Sequence, residues 1–228
     1  MKSFNIKIFI KKLIEFILFY LLVGLLPNIL ILLGRHASYK NYSGFLATTI
    51  YIAIFLISIA IAKKRFTFYS KEKVIHDFHF NDIILCFSIF IFILLINAIF
   101  MSLNYLIFHQ VGTANNQIII NHLLKINPVI KYSLCISMPF LTPILEELVF
   151  RGILTNMFFN PKNIWAKVIL SGIIFSSGHI STNIISFLLY FTLGAILALT
   201  YLKTDKQFDS IMVHFFVNFT ATLSFLFH

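Results

Sequence analysis

The chain has 228 residues, 59% hydrophobic and only 11% charged, with a mean hydropathy of +0.92. Soluble domains of this size carry about a quarter of their residues as charged groups, so the composition excludes one and calls for a polytopic membrane protein. The formal charge of +10 does not imply nucleic-acid binding, because the lysines gather immediately beside apolar stretches.

Apolar runs of about 20 residues read as membrane spans, and the expectation is an all-α transmembrane helix bundle of about seven spans. They are Leu13–Leu33, Gly44–Ala62, Ile83–Phe108, Pro128–Phe158, Ile164–Ile180, Thr182–Leu202 and Phe208–Phe227. The first follows basic residues, but its apolar core is too long for a signal peptide and no small-x-small cleavage site follows it. Pro139 and Pro143 predict a kink in the long fourth segment, and only Ser181, Thr182 and Asn183 separate the fifth from the sixth. Lys2, Lys7, Lys11 and Lys12, with Lys63, Lys64, Arg65, Lys71 and Lys73, place the N-terminus and the Lys63–Asp82 loop in the cytoplasm. Seven spans then put the C-terminus outside. Some of these cations are suited to anionic lipid headgroups. Cys86 and Cys135 fall in apolar segments and read as buried thiols, neither a disulfide nor a metal pair. Residues Asn115–Lys125 read as a short amphipathic helix at the interface. His36, His76, His79, His109, His122 and His228 fall in loops or at ends and read as solvated. The whole chain is expected to form one integral domain. Within it, residues 1–110 hold spans without an identifiable motif, and 111–228 hold the polar groups described next.

The most informative stretch is Pro143-Ile-Leu-Glu-Glu-Leu-Val-Phe-Arg151, because two of the four glutamates stand adjacent inside an apolar run. A carboxylate in hydrocarbon costs several kcal/mol and marks a functional site by default. Glu147 and Arg151 lie one helical turn apart and can neutralise each other. Glu146 projects about 100° away and has no partner close in sequence. Phe175 and His179 share a helix face, as do His214 and Asn218. If the spans pack together, these groups must meet or remain unsatisfied.

A carboxylate and a histidine converging on one point can hold and deprotonate water, while a second histidine and an asparagine can donate to the oxyanion of a tetrahedral intermediate. Glu146, His179 and His214 are equally a workable zinc set with an open position for water. The spacing alone does not choose between these. His-Glu-x-x-His, Gly-x-Gly-Asp and Gly-x-Ser-Gly patterns of other intramembrane hydrolases are absent, and no nucleophile elbow surrounds Ser176 or Ser177.

The three pairs resemble the motifs of the CPBP membrane proteases, also called the Abi or CAAX-protease-like family. Glu146-Glu147-x-x-x-Arg151 corresponds to the first motif, Phe175-x-x-x-His179 to the second and His214-x-x-x-Asn218 to the third, over roughly Asn115 to Phe227. The resemblance implies a helical membrane bundle with a chamber reached from the cytosol or the bilayer. It implies water activation by Glu146 and His179, an oxyanion hole from His214 and Asn218, and support from Glu147, Arg151 and Phe175. No cofactor is expected, although Zn²⁺ is compatible with the residue types. The implied partner is a peptide or membrane-protein substrate in the lipid bilayer, with leader-peptide or bacteriocin-related processing as its setting. The short, lysine- and isoleucine-rich, cysteine-poor chain suggests a bacterial plasma membrane. The competing readings are a non-catalytic self-immunity or scaffold protein and a proton-coupled transporter. The absence of a matching polar set in the first spans argues against the transporter.

Overall fold

A computed structural model describes residues 5–35, 41–70, 79–110 and 127–227. The Asn115–Lys125 helix, His36, His76, His122, His228, Lys2, Lys71 and Lys73 lie outside the described residues. Three long helices come first: α1 (Ile6–Arg35), α2 (Asn41–Ser70) and α3 (Phe80–Phe108). Then follow α4 (Pro128–Phe140), α5 (Thr142–Glu147), a π-helical turn over Leu148–Ile153, and α6 (Leu154–Phe158). The chain ends with α7 (Ile164–Gly178), α8 (Ile184–Thr204) and α9 (Gln207–Phe227).

Each apolar segment read from the sequence is helical. The number that can cross a bilayer is smaller than seven: among the described residues four helices are long and apolar enough, or five if the bent α4–α6 segment counts as one. The bend is 40° and falls at Leu141. Pro139 and Pro143 flank it, each removing a backbone donor from the helical ladder. Helix α7 has 15 residues, hence a length of about 22 Å, short of a hydrocarbon core of about 30 Å. The weak boundary before α8 is a real break. His179 leaves the helix in an extended conformation, and the Asn183 side chain caps α8 by accepting from the Ser186 amide at 3.0 Å.

The first three helices turn rows of Ile, Leu and Phe outward, as a lipid-facing surface requires, since lipid satisfies no backbone polar group. The inner faces of α1 and α2 close around the segment bearing the paired glutamates, while α3 packs against α8 and α9. Phe16, Phe19, Leu26, Tyr51, Phe55 and Phe66 pack with Leu145, Leu148, Val149, Phe150 and Ile153 in one buried cluster. Polar ties fix the arrangement. Lys12 Nζ donates to the Met157 carbonyl at 2.8 Å, near the C-terminal end of α6. Arg65 forks onto Glu15 at 2.5 and 2.6 Å, while Tyr69 donates to the same carboxylate. Lys206 pairs with Asp82 at 2.7 Å and joins α3 to the α8–α9 turn. His79 and His109, at the ends of α3, are exposed, as the sequence suggests. Both cysteines are free; Cys86 is buried, whereas Cys135 is only partly so.

Gly152 sits in the π-helical turn against α2. A Cβ there would clash with Phe66 Cδ2 and lie 3.3 Å from Gln207 Oε1. Gly152→Ala is therefore expected to destabilise the detergent-purified protein by about 1–3 kcal/mol, as overpacking does. A second substitution, Phe66→Leu, should recover part of that loss. Thermal unfolding of the single and double variants checks it; a Gly152→Ala protein as stable as wild type would show that the contact yields freely.

Candidate active site

The site is built on an irregular helix. After Glu147 the backbone widens into the π-helical turn, an irregularity frequent at functional sites, and side chains donate to its carbonyls. Ser171 Oγ donates to the Phe150 carbonyl at 3.2 Å, Thr155 Oγ1 to that of Arg151, and Asn156 Nδ2 to that of Gly152 at 2.8 Å. Three consecutive carbonyls are thereby satisfied by side chains, and the turn is fixed with Arg151 pointing inward.

Glu147 and Arg151 are both fully buried, with Nη1 2.9 Å from Oε1. The pair survives in apolar surroundings because further groups share its charge. Arg151 Nη2 donates to the Gly194 carbonyl at 3.1 Å, and its guanidinium stands 4.5 Å from the Phe175 ring centroid. His214 Nδ1 lies 2.8 Å from the same Glu147 Oε1. A carboxylate only accepts, so the Nδ1 proton belongs to this bond and the other ring nitrogen is turned away. That nitrogen, Nε2, is 3.8 Å from Glu146 Oε2. His214 thus stands between the two adjacent glutamates, which have different surroundings. Glu147 is engaged by Arg151 and His214 through Oε1, whereas Glu146, at 13% side-chain exposure against 0% for Glu147, has no such pair; the Oε2 of each is buried with no hydrogen-bond partner among the described residues.

His179 is oriented by its own helix. Its Nδ1 is 2.8 Å from the Phe175 carbonyl, again an acceptor, so Nδ1 carries the proton and Nε2 the lone pair. Phe175, fully buried, is the hinge of the arrangement. Its ring centroid lies 4.4 Å from that of His179 and 5.6 Å from that of His214. Asn218 follows His214 by one turn, and its Nδ2 donates to the Met138 carbonyl at 3.0 Å, next to the α4–α5 bend.

The structure therefore gathers Glu146, Glu147, Arg151 and His214 by direct polar contact, and draws His179 in through Phe175. No hydrogen bond or ion pair joins Glu146 to His179, and Asn218 bonds to backbone rather than to the other site residues. A zinc ion needs three donors each about 2.0–2.2 Å away. Among the described residues no group of three His, Cys, Asp or Glu side chains lies close enough together to hold a metal ion in this arrangement. Sequence reasoning missed Gly194, Tyr190, Ser171 and Met138. Tyr190 stacks on the His179 ring at 4.3 Å, with planes 22° apart. A spacing of four between Tyr190 and Gly194, the same as in each pair of site residues, was the available signal.

Compared with protein families, residues 128–220 match the model of the type II CAAX prenyl endopeptidase Rce1-like family. The segment is Rce1-like. The match contains Glu146, Glu147, Arg151, Phe175, His179, His214 and Asn218 and agrees with the resemblance to the CPBP membrane proteases. No curated protein and no solved structure is similar to the chain. The chain is a multi-pass membrane protein whose residues 128–220 are similar to that family, with α1–α3 packed against this part.

Proposed function

We propose that the protein is an intramembrane endopeptidase that hydrolyses a peptide bond with water activated by Glu146 and His179. The observation that carries this reading is the division between the two adjacent glutamates. Glu147 is neutralised by Arg151 and spent on orienting His214, both through Oε1, while Glu146 holds no such pair: its Oε2 makes no hydrogen bond and faces His214 Nε2 only at 3.8 Å. A carboxylate so disposed is a general base awaiting a proton. His179, with its lone pair on Nε2, accepts the second hydrogen of the same water. Attack on the scissile carbonyl breaks an O–H bond and forms the C–O bond, with the proton passing to Glu146. Collapse of the tetrahedral intermediate returns that proton to the leaving amine. His214 donates to the oxyanion through Nε2 only when both ring nitrogens carry protons, the positive charge then facing Glu147 and Glu146. The second amide hydrogen of Asn218, left over after Met138, completes the oxyanion hole. Glu147, Arg151 and Phe175 hold these groups in register.

The chamber faces the cytosolic half of the membrane in this reading, with the basic ends of α1 and α2 at the cytoplasm by the positive-inside rule. The substrate is a peptide or a membrane-protein segment, and the cellular setting is leader-peptide or bacteriocin-related processing. Quantitative peptidomics of cells and medium expressing wild type, Glu146→Gln or His179→Ala at matched levels tests it. Wild type should yield cleaved peptides that both variants lack, with uncut precursors accumulating; the termini identify the substrate class. Identical peptidomes would sink the proposal. Because no metal step is invoked, cleavage by the purified protein should persist after prolonged dialysis against EDTA or 1,10-phenanthroline. Loss of activity restored by added Zn²⁺ would replace the water-activating glutamate with a metal-bound hydroxide.

A further inference from the structure

Helix α8 contributes no charged group to the site, yet two of its residues touch it from successive turns. Tyr190 lies against the His179 ring at 4.3 Å and 22°, and the Gly194 carbonyl accepts from Arg151 at 3.1 Å. Four positions apart, they share one face of the helix. Gly194 is there because nothing larger fits. A Cβ would come within 2.9 Å of Phe175 Cβ and 3.0 Å of the Gly172 Cα, where α7 and α8 meet. Gly172 has the reciprocal constraint, with the Phe191 carbonyl 2.9 Å from its ideal Cβ. The two backbones therefore approach as closely as small residues permit. The start of α8 is tied down as well. Asn183 Nδ2 donates to Asn104 Oδ1 at 2.7 Å and to Gln110 Oε1 at 2.8 Å, and Ser176 Oγ to the Phe187 carbonyl at 2.7 Å.

His179 itself needs such support. It stands just past the end of α7, in extended backbone, and its side-chain hydrogen bond is to the Phe175 carbonyl. That bond fixes the tautomer and one direction but allows the ring to swing about it. Phe175 on one contact and Tyr190 on the other flank the ring and restrict that swing. We propose that α8 is the positioning arm of the site, with Tyr190 fixing the ring plane of His179 and Gly194 fixing Arg151 and, through it, Glu147. The proposal rests on the hydrolytic reading above and deepens it. Tyr190 is a positioning residue and takes no part in the bond changes.

The test compares Tyr190→Phe, Tyr190→Leu and His179→Ala in the full-length protein reconstituted in liposomes. Three readouts are taken: kcat and KM on a peptide cleaved by wild type, the melting temperature, and the ¹⁵N and ¹³C resonances of labelled histidine, with the His179 signal assigned by its loss in His179→Ala. Tyr190→Phe keeps the flat face and is expected to retain kcat within about twofold. Tyr190→Leu should lower kcat by about tenfold or more with KM unchanged, as misplacement of a catalytic group does. It should also shift or broaden the His179 signal while the melting temperature stays near that of wild type. Full activity and an unchanged His179 signal in Tyr190→Leu would overturn the positioning role. Full activity in His179→Ala would instead overturn the hydrolytic assignment of that histidine, and the resonance comparison would still decide whether Tyr190 holds the ring.

Discussion

Glu146→Gln is expected to lower peptide cleavage by about 10²–10⁴-fold, the usual contribution of a positioned general base, while leaving the fold intact. The two expectations come from the same geometry. Oε2 of Glu146 makes no hydrogen bond that the amide would lose, and its nearest ionic neighbour, His214 Nε2, is 3.8 Å away. The substituted amide keeps the volume of the side chain and removes only its capacity to take a proton. Folding loses little, because Arg151 and His214 retain Glu147 at 2.9 and 2.8 Å. The check is kcat/KM of purified protein on a substrate found by peptidomics, together with thermal unfolding in the same detergent. A variant that melts like wild type and cleaves nothing identifies Glu146 as the base. One that melts like wild type and cleaves normally favours the self-immunity or scaffold reading, in which the carboxyl is only a polar joint.

The spacings carried much of this site openly. A separation of four puts two side chains on one helix face, and Glu147 with Arg151, Phe175 with His179, and His214 with Asn218 all meet that condition; the first two pairs touch. Apolar run lengths likewise located every helix of the bundle. Other features were hidden for physical reasons. Sequence periodicity assigned no particular carboxylate to His214, because that depends on how α9 packs against the π-helical turn, and such a turn has no strong local signature. Asn218 bonds to the Met138 carbonyl, a backbone group no residue pattern advertises. Tyr190 and Gly194 are a common aromatic and a common small residue in an apolar helix; only the close approach of α7 and α8 gives them significance. Span counting was limited too. Apolar length shows that a segment avoids water, but α7 is short and extensively packed against α8, so lipid alone does not set its length.

The largest effect on stability is expected from Arg151→Met. The methionine fills much of the volume but leaves Glu147 fully buried with no cation, and breaking such a pair from one side costs about 3–5 kcal/mol. The Gly194 carbonyl loses its donor at the same time. A lower melting temperature and poor recovery from the membrane are the expected signs. Adding Glu147→Gln to Arg151→Met removes the stranded charge. Because neutral replacements of a buried ion pair are often tolerated, the double variant should regain most of the stability. It should not regain activity. The neutral amide that Glu147→Gln introduces is not an ionised acceptor for the His214 Nδ1 proton, so His214 loses the contact that directs Nε2 toward Glu146. Melting curves and cleavage rates measured on the same preparations separate the two roles. A double variant that recovers both would make the pair a folding device only. Recovery of stability without activity would show that the buried charge is retained because it aims a histidine.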